Sequence, residues 1–558
     1  MTEPVQQMSH RSIQIVFVGL MLGMLLAALD QTIVSTALPT IVGELGGLNH
    51  LSWVVTAYLL TSTAATPLFG KISDLYGRRR LFQVAIVVFL AASALAGLSQ
   101  NMPQLIAFRA LQGIGGGGLI AMAQVIIGDV VSPRERGRYM GYIGAVFAVA
   151  SVVGPLTGGF FVDHLSWRWV FYINIPVGLV ALFVTNTVLN LPFRRVDHPI
   201  DYLGASLLIA GITCIVLVTT WGGTEYEWGS PLILSLAVAG VALLVGFAMQ
   251  ERRAPEPIIP LRLFRDSIFN VASSVGFMVG LTMFGAIIFL PVFLQVVTGV
   301  SATSSGLLLL PLIMGLLISS VGSGRAITAI GRYRIFPIVG TALMTAGLYL
   351  LSLMGTDTSR GVASLYMFVL GIGIGLVMQV LVLAVQNSVE HRDLGIATSA
   401  ASLFRSLGGA FGASIFGAIL SNRLAYNLPK LVPGFSTGGF DVEALKGSPA
   451  QIHALPGPVR DGVIEAFARS IHVVFLWTVP LVAIAFLITL LMKELPLRDS
   501  AHVGGHSMGE DLGLALEPLD PDNVPDPLHV GRLEGLEAVP ASEEGVKTDR
   551  HPHDQGRR

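Results

Sequence analysis

Charged residues are scarce in this sequence. Of its 558 residues only 12% are Asp, Glu, Lys or Arg, whereas 53% are hydrophobic. A soluble globular protein carries about 25% charged residues, so this composition, with a mean hydropathy of +0.71, excludes that class. The formal net charge is −1, which leaves no excess of basic residues to bind a nucleic acid. The composition predicts a polytopic protein of the lipid bilayer.

Cysteine is nearly absent, since Cys214, inside an apolar run, is the only one. A single thiol excludes a disulfide framework and a thiolate metal site. The five His residues of the segment 495–558 are scattered, which favours a solvated tail over a metal site. No nucleophile–base constellation is visible either, so we expect no enzyme, no metal and no cofactor.

Long apolar runs are what the sequence has instead. A helix needs about 20 apolar residues to cross ~30 Å of hydrocarbon, and on that measure we predict fourteen transmembrane helices and an all-α membrane protein. The first run is too long for a signal peptide and continues into further spans, so we expect it to be retained. The predicted spans lie near 13–38, 51–70, 81–100, 104–128, 139–161, 168–190, 201–220, 231–250, 268–297, 303–323, 335–354, 361–388, 396–421 and 468–492.

Basic stretches alternate with loops that contain no Lys or Arg along much of the chain. Loops rich in Lys and Arg stay in the cytoplasm, and the predicted number of spans is even. We therefore expect a multi-pass protein of the inner (plasma) membrane with both termini in the cytoplasm. The basic stretches are 71–80, 132–138, 193–195, 251–253 and 324–334, and the loops without Lys or Arg are 43–50, 99–103, 222–230 and 298–305.

An internal repeat organises these spans. The stretch "GIGGGG" (113–118) matches "GIGIGL" (371–376) at an offset of 258 positions, and the same offset carries Gly137 and Gly154 onto Gly395 and Gly412. Parallel repeats are a known transporter architecture with the substrate site at their interface. We therefore predict two six-helix bundles with two inserted helices between them. The predicted segments are 1–12 (cytoplasmic N-terminus), 13–190 (first bundle), 191–267 (linker and inserted helices), 268–494 (second bundle, with an irregular external loop 422–467) and 495–558 (disordered cytoplasmic tail).

Asp30 is an acidic residue inside the first span, where a charge is costly. At 1.5 Å per residue it lies ~12 Å below the outer surface, and Arg109, in the fourth span, lies ~7 Å below it. A carboxylate whose guanidinium partner engages and releases has the changeable proton affinity that a proton carrier requires. The alternative is a static ion pair that joins the two helices.

Two further motifs contain closely spaced glycines. "GKISDLYGRRR" (70–80) supplies Gly70 and Gly77 for tight packing beside Asp74, which favours a conformational latch between the bundles over a loop that only sets topology. In "VVGPLTGGF" (152–160) we expect the proline to kink the helix, and the small residues to let a neighbouring helix come close. "GIGGGG" is no phosphate loop, because no Lys-Ser/Thr follows and the stretch lies in an apolar span.

Other polar or aromatic residues inside the spans are candidates for a substrate cavity. We name Trp53, Tyr58, Gln112, Phe147, Phe284, Gln295, Met378 and Gln379. Gln124, Asn174, Gln386 and Asn387 are further polar residues inside the spans, each more easily explained by an interhelical hydrogen bond than by a ligand. For Arg405 we expect a side chain that reaches the cytoplasmic edge.

These motifs together resemble the major facilitator superfamily, in particular its fourteen-span drug:proton antiporter branch of the EmrB/QacA type. The resemblance covers about residues 12–495 and implies the major facilitator fold. It rests on "LDQTIVSTALP", "GKISDLYGRRR", "RALQGIGGGG", "GPLTGG", "SWRWVFYINIPVG" and "FRSLGGAFGASIFG".

The resemblance also implies residue roles. Asp30 would be the proton-coupling acid and Arg109 the arginine of span four. The latch would consist of Gly70, Asp74, Gly77, Arg78 and Arg79, and the antiporter motif of Gly154, Pro155, Gly158 and Gly159.

The implied activity is export of small lipophilic drugs, often cationic, in exchange for protons, by a monomer. Asp30 is the only acidic residue deep in the predicted spans, and the equivalent place in the second repeat, "GLTMFGAIIFLP" (280–291), is apolar. We therefore expect coupling through the first bundle alone. The alternatives are export of an endogenous lipid, siderophore or metabolite, with a periplasmic partner as an option, and a membrane sensor that transports nothing.

Overall fold

The computed structural model describes residues 10–45, 51–189, 201–223, 226–300, 302–390, 393–432, 452 and 455–497. These residues are almost entirely helical, and the part of the chain described contains no β-strand. The predicted tail beyond residue 497, the linker 190–200 and the segment 1–9 lie outside the described residues. The described helices all belong to one unit of the chain, residues 1–507.

The first bundle is built from α1 to α7. Pro133 and Pro103 stand in the first turns of two of these helices, where no hydrogen bond to the backbone nitrogen is lost. The span predicted at 168–190 is divided into a single turn, α6, and the longer α7. The bounds are α1 His10–Leu45, α2 Leu51–Tyr76, α3 Arg78–Gly97, α4 Met102–Val130, α5 Pro133–His164, α6 Trp169–Tyr172 and α7 Asn174–Val188.

Two inserted helices and the second bundle follow. The two inserted helices, α8 and α9, pack against each other, and α8 also contacts α2 and α15. The bounds are α8 Tyr202–Trp221, α9 Pro231–Glu251, a 3₁₀ turn Leu261–Arg265, α10 Ser267–Val296, α11 Ala302–Leu308, α12 Leu310–Ile330, α13 Ile335–Ser352, α14 Arg360–Ser388, α15 Leu394–Leu431 and α16 Gly457–Leu490.

Each of the fourteen predicted spans lies in or overlaps these helices. Within the described residues, thirteen helices are long and apolar enough to cross a membrane. The predicted span 51–70 is not among these thirteen. It lies in α2, whose apolar character is lowered by Thr56, Thr61, Thr63 and Thr66. The predicted all-α membrane fold is confirmed.

The repeat seen in the sequence has a counterpart in the packing. Helix α4 packs against α2 and α3 as α14 packs against α12 and α13, and α1 packs against α5 as α10 packs against α15. Between the bundles α5 contacts α12 and α15 contacts α2. Each bundle has its own apolar core, and the two cores interlock, because Ala64 of α2 belongs to the core of the second bundle and Val382 of α14 to that of the first.

The external loop predicted at 422–467 is shorter in the structure. Helix α15 continues to Leu431 and α16 begins at Gly457, so both ends of this loop, for which we expected irregular structure with a short hairpin or helix as an option, are helical. Leu424 and Leu428, four residues apart on one face, are fully buried in the core of the second bundle. That packing extends the helix beyond the membrane-spanning length. Residues 433–451 lie outside the described part of the chain.

Candidate functional site: a buried ion pair in the first bundle

Asp30 on α1 and Arg109 on α4 form an ion pair through the arginine Nη1 and the carboxylate Oδ2. The two side chains are 0% and 2% exposed. The arginine Nε also donates to the carbonyl of Val54, 3.3 Å away. The ring of Tyr58 lies 4.4 Å from the guanidinium carbon, a distance typical of a cation–π contact. The two residues that the sequence places at similar depth are therefore in direct contact.

The second carboxylate oxygen of Asp30 is also hydrogen-bonded. Gln112 Nε2 donates to it at 2.9 Å and Asn174 Nδ2 at 3.2 Å. Both amides also donate to the hydroxyl of Ser93, at 3.1 and 2.9 Å, and that hydroxyl donates to the carbonyl of Phe171 at 2.9 Å. The carboxylate of Asp30 thus accepts hydrogen bonds from three donors, and its side chain is fully buried.

The network was only partly predictable. Gln112 was a candidate for the substrate cavity, with an interhelical hydrogen bond as the alternative, and it makes such a bond to Asp30 while it accepts from Arg109 Nη1 at 2.8 Å. Asn174 was expected to make an interhelical hydrogen bond, and it does. Ser93 was missed, because one hydroxyl in an apolar helix normally bonds to its own backbone and gives no signal of a network.

The glycines of the predicted antiporter motif bring α5 against α1 next to Asp30. A Cβ atom on Gly154 would lie 2.7 Å from Thr32 Cβ, and one on Gly158 would lie 2.8 Å from the carbonyl oxygen of Ile33. Either would force the helices apart. Gly159 differs, because nothing lies within 4 Å of its Cβ position. The helix is continuous across Pro155.

We call the end of the bundles that carries Arg78, Arg134 and Arg332 the basic end. There Asp74 bonds to Arg78 at 3.0 Å, and Arg78 also pairs with Asp129 of α4. A Cβ on Gly395 would lie 2.6 Å from Asp74 Oδ1, so this carboxylate faces the first turn of α15 in the other bundle. The positive end of a helix dipole attracts such a charge.

The remaining predicted latch residues divide into two groups. A Cβ on Gly70 would lie 3.0 Å from the carbonyl oxygen of Gly395, and Gly77 has a φ of 93° that favours glycine. Both allow the turn that brings α2 close to α15. Arg79 instead donates to the carbonyl of Asn186 on α7 at 2.7 Å, which is a contact inside the first bundle. Asp129 was not predicted, because it follows an apolar run without any motif.

Further hydrogen bonds join the two bundles near the basic end. Lys71 of α2 instead pairs at 2.8 Å with Glu256, which lies between α9 and the 3₁₀ turn. The backbone oxygen of Gln124 accepts from Gln386 at 3.0 Å, its side-chain oxygen accepts from Ser402 at 3.1 Å, and Ser320 donates to the carbonyl of Gly141 at 3.1 Å. These contacts lie within about ten residues of the helix ends, so they close the space between the bundles at the basic end.

At the opposite end Glu44 holds the segment "SWRW". Trp167 Nε1 and Arg168 Nη1 donate to its carboxylate at 2.8 and 2.5 Å. The hydrogen bond from Arg168 is the main reason that the pKa of Glu44 is below its usual value. Glu44 follows the predicted span 13–38 and is half exposed, so the contact fixes the chain near the start of α6 outside the hydrocarbon.

The predicted cavity residues do not converge on one space in the described part of the chain. Trp53 packs edge-on against Trp221, Tyr58 covers Arg109, and Gln295 bonds to Ser305. Gln379 is buried. The side chain of Phe284 lies outside what is described.

Two candidates lie elsewhere between the helices. Phe147 packs beside the first core, and Met378 lines a small cavity with Arg405. Arg405 is partly exposed beside this cavity, and the expectation that its side chain reaches the cytoplasmic edge stays a prediction. A separate cleft of about 740 Å³, between the 353–358 loop, α15 and α16, has none of the predicted site residues in its lining.

Comparison with known proteins agrees with this architecture. A family model described as Major Facilitator Superfamily matches residues 20–413. The multidrug transporter protein MdtP of Bacillus subtilis is 39% identical over 510 residues, which cover 86% of this chain and 93% of that protein. Multidrug resistance protein 3 of the same species is 36% identical over 499 residues, covering 88% and 97%. The solved structure of the proton:xylose symporter XylE has a TM-score of 0.58 at 15% identity, covering 87% and 98%, a likeness of fold alone.

Proposed function

This chain belongs to the major facilitator superfamily of transporters, and from that premise we propose that it exports small lipophilic compounds in exchange for protons. The named multidrug transporters among its relatives support export. The observation that carries proton coupling is the carboxylate of Asp30, enclosed among donors and paired with Arg109.

The ion pair gives Asp30 two alternative states. While Arg109 is in contact, the carboxylate is charged and satisfied. A proton that neutralises Asp30 removes the attraction, and Arg109 keeps Gln112 and Val54 as acceptors. In this proposal Asp30 takes up the proton from outside and releases it to the cytoplasm after the bundles have rocked.

Alternating access also requires the basic end to open and close. We propose that this end is cytoplasmic, with both chain termini on that side. Asp74 beside the first turn of α15 is then a latch that holds the cytoplasmic side closed. Breaking it, together with the contacts of Gln124, would let the bundles separate there.

The proposal is tested by efflux from proteoliposomes under an imposed pH gradient, with and without an uncoupler. Wild-type protein is expected to move at least one lipophilic probe against its gradient, and Asp30→Asn to lose this. Glu44→Gln, which removes an acid from the same helix near its end, is the matched control and is expected to keep it. Asp30→Asn with the wild-type rate would disprove the coupling role.

The second candidate is export of an endogenous lipid, siderophore or metabolite by the same mechanism, with or without a periplasmic partner. Ethidium efflux by cells that overproduce the protein favours drugs as substrates. A changed lipid or metabolite content in a deletion strain, without any change in ethidium efflux, favours the endogenous substrate. A sensor that transports nothing would lose its activity when 499–558 is deleted, whereas we expect transport to persist.

A further inference from the structure

Arg405 is a partly exposed cation within a membrane-spanning helix of the second bundle. It lies on α15, eleven residues after the first residue of that helix, or about 16 Å from the basic end. Its neighbours around a small cavity are apolar, among them Gly276 of α10 and Met378 and Leu381 of α14. Small residues at Gly276 and Ala401 leave the room that the guanidinium occupies.

No described residue neutralises this charge. Arg405 makes no hydrogen bond or ion pair with any residue that the structure describes. Arg109 differs in each respect, since Asp30, Gln112 and Val54 all accept from it. An arginine inside a membrane protein is costly without a partner and is a sign of a functional site.

Helix α15 contacts the other bundle one turn before Arg405, nearer the basic end. Ser402, three residues earlier, donates to the side chain of Gln124 on α4. Residues three apart share a helix face, so Arg405 lies one turn beyond this contact, further from the basic end. It is therefore placed just above the layer of contacts that closes the basic end.

The internal repeat puts an aromatic residue at the equivalent place in the first bundle. The offset of 258 positions that relates Gly154 to Gly412 also relates Phe147 of α5 to Arg405 of α15. Phe147 is only partly buried, and its helix forms the corresponding contact between the bundles, with α12. The repeat thus places an aromatic ring and a guanidinium at equivalent positions of the two bundles.

We propose that Arg405 binds the anionic group of an amphiphilic substrate whose apolar body lies against the first bundle at Phe147. This inference rests on the proposed export function and specifies its substrate class, a lipophilic compound with a carboxylate, sulfonate or phosphate. Guanidinium binds such groups through two parallel hydrogen bonds. Asp30 offers no competing site for a cation in this arrangement, because Arg109 occupies it.

The closed basic end determines when the anion can bind. The cavity beside Arg405 has about 10 Å³ of space for water, which is about the least that holds one molecule. These contacts of Gln124 and Ser402 lie between Arg405 and the basic end, so a substrate anion from that end reaches Arg405 only after they have opened. Binding from the proposed cytoplasmic side and release after closure follow from this geometry.

The test uses three probes with one apolar body and different heads. These are 1-pyrenebutyrate, 1-pyrenebutanol and (1-pyrenebutyl)trimethylammonium. Affinity is measured for the wild type, Arg405→Gln, Arg405→Lys and the control Arg332→Gln in phosphatidylcholine nanodiscs. Arg332 is an exposed arginine at the basic end, so its substitution removes one positive charge elsewhere. Efflux of the same probes is measured in proteoliposomes under a pH gradient.

We expect Arg405→Gln to lose roughly tenfold or more of the affinity for pyrenebutyrate, about what one charged hydrogen bond contributes, and to bind pyrenebutanol as before. Arg405→Lys is expected to retain part of the anion affinity, and Arg332→Gln all of it. The proposal is contradicted if wild-type protein does not bind pyrenebutyrate, if it prefers the ammonium probe, or if Arg405→Gln lowers all three affinities equally.

The same experiment distinguishes two sources of the anionic group. It also distinguishes failure of this inference from failure of the proposed export function. If phosphatidylglycerol in the nanodisc displaces pyrenebutyrate from the wild type but not from Arg405→Gln, the anionic group belongs to a membrane lipid; otherwise it belongs to a soluble amphiphile. Anion binding that depends on Arg405 without any efflux would support this inference and contradict the export function. Efflux of the ammonium probe alone would support the export function and contradict this inference.

Discussion

At the scale of single residues, Arg109 and Asp30 depend on each other. Arg109→Gln would leave a buried carboxylate without its cation, and breaking a buried pair in this way costs about 3–5 kcal/mol. Because Asp30→Asn removes the charge that is left over, we expect the double variant Asp30→Asn/Arg109→Gln to unfold at a higher temperature than Arg109→Gln alone. Thermal unfolding of the four proteins in one detergent measures this coupling.

Transport should not follow stability in that series. The double variant is expected to remain without proton-driven efflux, since the group that carries the proton is gone. Equal unfolding temperatures for Arg109→Gln and the double variant would mean that the two side chains do not interact in the membrane protein as purified.

The same scale shows what the sequence could predict. Helix geometry places Asp30 and Arg109 at similar depth, so their pairing was predictable once the spans had been assigned. Ser93 was not, because its role depends on two amides that come from other helices. For Arg405 the pattern gives the distance from the helix end, but not the small residues Gly276 and Ala401 that line a cavity with it.

At the scale of elements, the crossing of α5 and α12 depends on glycine. A Cβ on Gly137 would lie 2.8 Å from the carbonyl oxygen of Gly324, so Gly137→Val should separate these helices at the basic end. Ser320→Cys in a Cys214→Ser background reports the separation, since Ser320 is buried against Gly141. We expect maleimide labelling of this cysteine to become several-fold faster.

Gly159→Val is the control for that prediction, because it lies on the same helix with nothing within 4 Å of its Cβ position. Labelling of Ser320→Cys should stay at the wild-type rate there. Equal rates for both valine variants would contradict the role of the α5–α12 crossing in closing the basic end.

The latch makes a second prediction at this scale. Asp74→Asn removes the charge that faces the first turn of α15, an attraction of about 0.3–2 kcal/mol, and we expect slower transport. Arg79→Gln should slow transport less, because Arg79 bonds within the first bundle. The measurement is the initial efflux rate of both variants at matched protein content. A wild-type rate for Asp74→Asn would contradict the role of Asp74 as a latch.

Element boundaries show where pattern reasoning ends. The spans were predictable because hydrocarbon thickness fixes their length. The extra turns of α15 and α16 lie beyond the membrane, where that constraint ends and tertiary packing of Leu424 and Leu428 decides instead. The division of one span into α6 and α7 likewise has no signal in apolar content.

At the scale of the whole molecule, the asymmetry of the two bundles has an electrical consequence. With one coupling acid we expect one proton per cycle, and export of a monoanion against entry of a proton moves two positive charges inward. A potential acts on each charge with about 2.3 kcal/mol per 100 mV. Pyrenebutyrate efflux from proteoliposomes is therefore expected to respond to a potassium diffusion potential even at equal pH on both sides, and insensitivity to it would contradict this stoichiometry.

The central claim is that Asp30 carries the proton, and proton movement driven by substrate tests it most directly. Proteoliposomes with trapped pyranine receive a gradient of a pyrene probe that the wild type transports, without any imposed pH gradient. Wild-type protein is predicted to change the internal pH as the probe moves, as is Glu44→Gln, while Asp30→Asn lets the probe exchange without a pH change. Proton movement by Asp30→Asn equal to that of the wild type would contradict the account.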